Sequence, residues 1–236
     1  MIGIIIQART KSTRFPNKIF TDINGRYTLQ RVLDGATSSK LAHKIILAMP
    51  EYDRAEIKRR IEEGELNDHL VHRGFSVYCG EADNVLKRYY DAAGINGIDL
   101  IVRITADCPF IQGNIIDEMI ERYLSNGYNG FMGNNENVSD RPFPDGLDVE
   151  IFPWWLLVST VRQADSESDR EHVTSLMYRG PMDVKRNIYG FNNDNKITMK
   201  HPSFSFDTEE DYELIKKIAV EYDECGDLNK ALELVG

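Results

Sequence analysis

Cysteine is scarce in this 236-residue chain, and long hydrophobic runs are missing. Cys79, Cys108 and Cys225 are odd in number, far apart and without the spacing of zinc ligands, so we expect buried thiols in a reducing compartment. No apolar run approaches the roughly 20 residues that a membrane-spanning helix needs. Met1 leads directly into an apolar segment, which does not resemble a signal peptide. These features predict a cytoplasmic protein without a membrane partner.

Positive charge is also in deficit, because 28 Lys and Arg residues face 38 Asp and Glu residues, for a net charge of −10. This balance argues against a nucleic-acid partner, which usually selects a basic face. The segment "IIIQARTKSTRFPNK" at 4–18 is nevertheless basic, and no acidic residue precedes Asp22. A local basic loop in an acidic chain favours a small anionic ligand.

The first half of the chain alternates short apolar segments with amphipathic ones. This alternation predicts an α/β fold with a mostly parallel sheet covered on both faces. We predict strands at 2–8, 44–50, 75–80 and 99–106, and helices at 28–39, 54–63, 83–93 and 115–125.

The second half is less regular, and from Asn126 it is rich in Gly and Asn. It predicts a strand and a long loop, then a polar linker "DSESDRE" and a final helix at 209–222. Between these we predict strands at 147–152, 184–191 and 203–207 and helices near 154–163 and 172–178. Without a repeat or an interdomain linker, the chain is interpreted as one domain over 1–236 with an inserted lobe.

The basic segment follows the first predicted strand, and ligands of open α/β sheets bind at the carboxyl ends of strands. Backbone N–H groups, hydroxyls and fixed cations in such a loop can hold phosphate oxygens. Ser12, Thr13, Arg14 and Lys18 supply those groups. Neither the G-x-x-x-x-G-K-[ST] nor the G-x-G-x-x-G pattern is present, and a solvated basic loop without a ligand is the alternative.

Two carboxylates occupy comparable positions. Asp107 follows the strand at 99–106 and is placed to hold a hard cation such as Mg²⁺, or else caps the next turn. Asp207, in "SFSFDTEEDYELI", reads on its own as the start of a helix. His69 and His72 form an H-x-x-H pair, but with no third ligand nearby we expect two exposed loop histidines.

In this order, the blocks "IIQARTKSTRFPNK", "RITADCPFI" and "FDTEEDYELI" resemble the signature of the cytidylyltransferase family. That family includes the CMP-sugar-acid synthetases, and the group of the spore-coat polysaccharide protein SpsF is the most similar branch. "GEADNVLKRYYDAA", "DGLDVEIF" and "REHVT" resemble the same branch.

The resemblance implies a nucleotide-diphospho-sugar-transferase-like (GT-A-like), Rossmann-type fold with a small acceptor and dimerisation lobe. It divides the chain into a nucleotide-binding half at about 1–125, the lobe at about 126–200, and a return strand with C-terminal helices at 201–236. The implied reaction joins CMP from CTP to a small anionic acceptor and releases pyrophosphate, with Mg²⁺ as cofactor in a homodimer.

The resemblance also implies roles for individual residues. The catalytic residues would be Arg9, Lys18 and Asp107, and the metal ligands would be Asp107 and Asp207. The nucleotide would be bound by Gln7, Ala8, Arg9, Ser12, Thr13, Arg14, Lys18, Gly80, Glu81, Asp83, Arg103, Thr105 and Ala106.

The irregular second half should supply the acceptor site. Its candidates are Asp145, Asp148, Glu150, Arg170, Glu171 and His172, with helix caps and solvated loop charges as the alternative. An acidic cluster beside a basic residue suits an acceptor with an amine or several hydroxyls and an anionic end. The chain has Gly80-Glu81-Ala82-Asp83-Asn84 where Kdo-type synthetases have S-G-T-D-R, so Kdo itself is not expected as the acceptor.

Two other functions remain open at this point. A glycosyltransferase that uses a nucleotide sugar can share this fold. Its usual D-x-D metal motif has only a poor match at Asp183-Val184-Lys185, which favours nucleotidyl transfer. A nucleotide-binding protein without turnover is disfavoured because Lys18, Asp107 and Asp207 occur together.

Overall fold

A β-sheet covered by helices forms the centre of the computed structural model, which describes residues 1–12, 14–66, 74–179, 188–194, 196–198, 203–206 and 208–235. The strands are β1 (Ile2–Gln7), β2 (Asp22–Ile23), β3 (Arg26–Tyr27), β4 (Lys44–Pro50), β5 (Ser76–Gly80), β6 (Leu100–Thr105), β7 (Phe131–Gly133), β8 (Glu150–Pro153) and β9 (Ile188–Gly190). The helices are α1 (Thr28–Ser38), α2 (Arg54–Glu62), α3 (Val85–Asn96), α4 (Gly113–Ser125), α5 (Trp154–Gln163), α6 (Glu167–Glu171), α7 (Ser175–Arg179), α8 (Glu209–Cys225) and α9 (Leu228–Val235). Short 3₁₀ turns cover Lys18–Phe20 and Glu51–Asp53.

Within the described residues the main sheet has the strand order β5-β4-β1-β6-β8-β7-β9. The β5, β4, β1 and β6 strands are parallel, whereas β8 runs antiparallel to β6 and β7. The predicted α/β fold with a mostly parallel sheet is therefore confirmed.

The sheet is buried on both faces because its central strands are apolar at successive positions. In β1, Ile4 and Ile6 pack into one core cluster and Ile5 into the other. Helices α1, α4, α8 and α9 cover the first face, while α3 and α5 cover the second. This two-sided burial explains why β1 has no polar alternation in its sequence.

The order of the strands reverses at β1. From β1 the chain proceeds outward to β4 and β5 on one side, and then returns to place β6 on the other side. A crevice opens at such a reversal beyond the carboxyl ends of the strands, where open α/β sheets bind ligands. The residues after β1 and β6 therefore share one crevice.

The second half departs from several predictions. The linker "DSESDRE" contains α6, which begins at a capping box made by Ser166 and Asp169, and the helix predicted near 172–178 begins only at Ser175. The strand predicted at 147–152 starts at Glu150, since Gly146 turns the chain with φ 89°. "SFSF" makes a single bridge from Ser203 to Asp145 and no ladder among the described residues.

Several predicted features differ in detail or lie outside the described residues. Cys79 and Cys108 are buried as predicted, and Cys225 is partly exposed. His69, His72 and residues 183–185 lie outside the described residues, and α9 is a second C-terminal helix within the 201–236 region, for which no bounds were predicted. Over the part of the chain that the structure describes, no helix is both long and apolar enough to cross a membrane.

Candidate functional site

Lys18 and Asp107 meet in the crevice between β1 and β6. The Lys18 Nζ donates a hydrogen bond of 2.7 Å to Asp107 Oδ2, although 89 residues separate the two in sequence. Burial raises the pKa of Asp107, but the charge and hydrogen bond of Lys18, together with hydrogen bonds from Thr105 and the backbone, outweigh burial and leave this pKa below its usual range. The carboxylate is thus ionised and paired with a cation at the point where a ligand is expected.

A cavity of about 210 Å³ surrounds this pair, and we call it the β1–β6 cavity. It gathers most of the residues that the sequence assigned to nucleotide binding. Its walls are Gln7, Ala8, Arg9, Ser12, Arg14, Lys18, Ile19, Thr105, Ala106 and Asp107. Thr13 and Asp207 lie outside the described residues.

The basic loop between β1 and Lys18 is fixed to the fold by a carboxylate that sequence reasoning missed. Asp53 is buried and accepts hydrogen bonds from the Thr10 backbone N–H at 3.0 Å and from Thr10 Oγ1 at 2.5 Å. Asn17 closes the loop in a left-handed conformation, with its N–H donating to the Thr10 carbonyl at 2.9 Å. The sequence did hold a signal for Asp53, because Asp53 follows the carboxyl end of β4 just as Asp107 follows the carboxyl end of β6.

A second cavity, of about 700 Å³, adjoins the first at Arg9, and we call it the Glu81 cavity. Arg9 lines both cavities, and its Nη1 lies 3.6 Å from Glu171 Oε1. The remaining walls are Glu81, Ala82, Asp83, Asn84, Val85, Glu167, Arg170 and Glu171. Gly80 ends β5, and the loop that follows it, at 81–84, lines this cavity.

A third cavity, of about 560 Å³, adjoins the first at Thr105, and we call it the Asp148 cavity. It contains four of the six residues predicted to bind the acceptor. Its polar walls include Arg103, Asn135, Asp145, Asp148, Glu150, His172 and Thr174. Arg170 and Glu171 face the Glu81 cavity instead, so the structure divides the predicted acceptor residues between two cavities.

Glu150 and Arg103 form the wall between strands β6 and β8. Their register places them opposite each other, and Arg103 Nη1 donates to Glu150 Oε2 at 2.5 Å. Glu150 is buried and also accepts hydrogen bonds from Asn135 Nδ2 at 2.9 Å and Thr174 Oγ1 at 3.1 Å. Since its oxygens already have these partners, Glu150 contributes structure to the wall of the cavity.

Asp148 is electrostatically different from Asp107. Burial and the nearby charge of Asp145 raise the pKa of Asp148 to about 7, even though the Gly146 N–H donates to its carboxylate. Asp145 in turn accepts hydrogen bonds from the hydroxyls of Ser203 and Ser205 at 3.0 and 2.9 Å. A carboxyl group with a pKa near neutrality can exchange a proton with a bound hydroxyl or amine.

The donor set suits a metal ion that binds together with phosphates. Among the residues that the structure describes, no three His, Cys, Asp or Glu side chains are grouped as a metal site. Magnesium, however, usually binds through one or two carboxylates with substrate phosphates and water completing the octahedron. Asp107 offers one such ionised carboxylate on the wall of the β1–β6 cavity.

Comparison with known proteins identifies a family for the chain. A family model described as "Cytidylyltransferase" matches residues 3–233. The spore coat polysaccharide biosynthesis protein SpsF of Bacillus subtilis is 27% identical and aligns with 99% of this chain and 92% of its own. A cytidylyltransferase from Leptospira borgpetersenii has a solved structure with a TM-score of 0.80 and 28% identity, covering 99% of this chain and 92% of that one.

A more distant structure extends the comparison of the fold. The CTP complex of CMP:2-keto-3-deoxy-manno-octonic acid synthetase has a TM-score of 0.67 at 15% identity. The match covers 94% of this chain and 99% of that one. At this identity, the likeness concerns the fold alone.

Proposed function

The chain belongs to the cytidylyltransferase family, and from this premise we propose that it transfers CMP from CTP to a small anionic acceptor and releases pyrophosphate. The observation that carries this proposal is the Lys18–Asp107 pair in the crevice between β1 and β6. A basic loop and an ionised carboxylate in one cavity suit a triphosphate whose charge is shared between cations of the protein and a metal ion.

In the proposed reaction, an acceptor oxygen attacks the α-phosphorus of CTP. A new bond forms between that oxygen and phosphorus, and the bond to the bridging oxygen of pyrophosphate breaks, with its electron pair leaving on pyrophosphate. Such transfers depend on positioning and charge neutralisation more than on covalent help from the protein. Arg9, Arg14 and Lys18 are proposed to hold the triphosphate, because their side chains line the cavity.

Asp107, together with Asp207 as the family resemblance implies, is proposed to hold Mg²⁺. The bound ion would neutralise charge on the phosphate oxygens and on the departing pyrophosphate. Lys18 keeps Asp107 ionised, so the carboxylate is ready for a cation without prior loss of a proton.

The Asp148 cavity is proposed to bind the acceptor, since it meets the β1–β6 cavity at Thr105. An acceptor oxygen in a carboxylate, phosphate or phosphonate needs no strong base, whereas a sugar hydroxyl has to lose a proton. Asp107 is a weak base because its pKa is lowered, and Asp148, with a pKa of about 7, is better suited to accept that proton. From the sequence alone, Asp107 is the one candidate for such a base, and the raised pKa of Asp148 favours Asp148 instead.

The pathway is proposed from the relative that aligns over nearly the whole chain. SpsF takes part in the synthesis of spore coat polysaccharide, so we propose a role in the synthesis of a surface polysaccharide or glycoconjugate. A homodimer, as expected from the family, is part of the proposal, and the mass of the protein in solution tests it.

A screen of pyrophosphate release tests the proposal. The full chain should be incubated with Mg²⁺, each of the four ribonucleoside triphosphates, and acceptors that include sugar acids, sugar phosphates and aminoalkyl phosphonates. We expect release with CTP, dependent on both the metal and the acceptor. Turnover of UDP-sugars in the absence of CTP would instead identify a glycosyltransferase and contradict the proposal.

A further inference from the structure

Arg88 is a buried cation beneath the loop that lines the Glu81 cavity. Its side chain comes from α3 and is 1% exposed, and the ion pairs of the described residues do not include it. Its Nε is buried without a hydrogen-bond partner in that part of the chain. Burial lowers the pKa of Arg88 from its usual value. This direction means that nearby negative charge does not compensate for the loss of water around the guanidinium.

The guanidinium of Arg88 holds two consecutive carbonyl groups of the loop. Its Nη1 donates hydrogen bonds to the carbonyls of Glu81 at 2.7 Å and Ala82 at 2.8 Å. Gly80 keeps this contact close, since a Cβ at that position would lie 3.3 Å from Arg88 Cγ and 2.8 Å from a ring carbon of Tyr78. The loop therefore packs directly on the Arg88 side chain.

The two hydrogen bonds from Arg88 fix the direction of two backbone N–H groups. In a trans peptide, the C=O of one residue and the N–H of the next point in opposite directions. With the carbonyls of Glu81 and Ala82 turned towards Arg88, the N–H groups of Ala82 and Asp83 point away from it. No described residue accepts a hydrogen bond from either N–H. Both residues line the Glu81 cavity, which adjoins the β1–β6 cavity at Arg9.

We propose that Arg88 is a positioning residue for the nucleotide base, and that it aims the N–H groups of Ala82 and Asp83 at the acceptor edge of cytosine. This proposal rests on the proposed function, because it assumes that CTP is the nucleotide. Cytosine presents two neighbouring acceptors, O2 and the unprotonated N3, whereas uracil presents an N–H at position 3. Two aligned donors therefore favour cytosine, and Arg88 determines the choice between CTP and UTP without touching the base.

The test compares Arg88→Lys with Arg31→Lys in the full chain. Lysine keeps the positive charge at position 88, but its stem is one atom shorter, so the two carbonyls lose their common donor. Arg31 is the control: it is also buried and donates to a backbone carbonyl, that of Ile23 at 2.8 Å, on the opposite face of the sheet, and it additionally pairs with Asp223. Calorimetric titration with CTP, UTP and inorganic tripolyphosphate, each with Mg²⁺, gives three affinities for each variant.

We expect Arg88→Lys to weaken CTP binding by about 10-fold or more, the loss typical of one strong hydrogen bond. Binding of UTP and tripolyphosphate should be unchanged, so that the preference for CTP over UTP is lost. Arg31→Lys should keep all three affinities. A folded Arg88→Lys protein with unchanged CTP affinity, or with a parallel loss for all three ligands, would overturn the proposal.

A second variant covers the case in which Arg88→Lys does not fold. Gly80→Ala places a Cβ 2.8 Å from the Tyr78 ring and 3.3 Å from Arg88 Cγ, so the packing between the loop and Arg88 has to shift, and the variant should likewise weaken CTP binding while binding of tripolyphosphate is retained. An unchanged preference for CTP in Gly80→Ala would overturn the proposal. If the wild-type chain binds CTP no better than tripolyphosphate, the proposed function itself fails, and that outcome is visible before any variant is compared.

Discussion

At the scale of residues, the site contains two carboxyl groups whose surroundings shift their pKa values in opposite directions. Burial is outweighed at Asp107 by the Lys18 ammonium together with hydrogen bonds from Thr105 and the backbone, so its pKa is lowered, whereas burial and the Asp145 charge raise the pKa of Asp148 to about 7. Paired titratable groups with divergent pKa values commonly take different roles in a mechanism. Here the ionised Asp107 suits a cation, and Asp148 suits the transfer of a proton to or from the acceptor.

The raised pKa of Asp148 predicts a dependence of stability on pH. Because the folded chain holds this proton more tightly than the unfolded chain, the stabilisation is complete below about pH 4 and is lost as the pH rises through 7. Asp148→Asn removes the ionisation, so the stability of the variant relative to the wild type should increase as the pH rises across this interval. The increase should exceed about 1 kcal/mol in the free energy of unfolding, or about 2–4 °C in melting temperature, and should level off above pH 7.

Thermal melts of wild type and variant between pH 4 and 8 measure this difference. Asp140→Asn, at an exposed position, serves as the control and should follow the wild type at every pH. Parallel curves for wild type and Asp148→Asn would contradict the environment assigned to Asp148.

The residues of the β1–β6 cavity were predictable, and their supporting residues were not. Lys18 and Asp107 follow buried strands, so the rule that places ligands at the carboxyl ends of strands made them candidates, and the family resemblance assigned roles to them and to Arg9. Arg88 lies inside an amphipathic helix, where a charged residue is normally predicted to face solvent. Its burial and its contact with the carbonyls of Glu81 and Ala82 depend on how α3 packs on the sheet, which the sequence does not display.

At the scale of elements, the parallel half of the sheet was predicted well because its signals are local. β4 matches its predicted bounds of 44–50, and α1 differs from its prediction by one residue. The antiparallel half was predicted less well, since short strands such as β7 and β8 are set by pairing with distant segments. The α6 helix did have a local signal, a serine three residues before an aspartate, within a segment otherwise typical of a polar linker.

The conformation of the loop between β1 and Lys18 should depend on the hydrogen bonds between Thr10 and Asp53. Thr10→Val keeps the volume of the side chain but removes the hydroxyl that donates to Asp53. Because Asp53 is buried, we expect a loss of about 1 kcal/mol or more in the free energy of unfolding. CTP binding should weaken as well, since the same loop carries Arg9 and Ser12.

The matched control is Thr37→Val, whose hydroxyl donates to the Leu33 carbonyl within α1. Chemical denaturation and CTP titration of both variants measure the two effects. Equal CTP affinity in Thr10→Val and in wild type would show that the anchored loop does not contact the nucleotide.

At the scale of the whole molecule, the local concentration of positive charge fits a small ligand. The chain has a net charge of −10, yet Arg9, Arg14 and Lys18 converge on one cavity of about 210 Å³. Two further cavities each share a lining residue with it, Arg9 in one and Thr105 in the other, so the proposed base site and the proposed acceptor site both adjoin it. The central claim is therefore that the triphosphate of CTP binds between the carboxyl ends of β1 and β6.

Calorimetric titration of CTP into Lys18→Ala, with Lys58→Ala as control, tests this claim most directly. Lys58 is an exposed lysine on α2, 3.6 Å from Glu62, and lies outside the three cavities. We expect Lys18→Ala to weaken CTP binding by about 10-fold or more, as loss of a charged hydrogen bond to phosphate implies, and Lys58→Ala to leave it unchanged. Equal CTP affinity in Lys18→Ala and in wild type would contradict the placement of the triphosphate between β1 and β6.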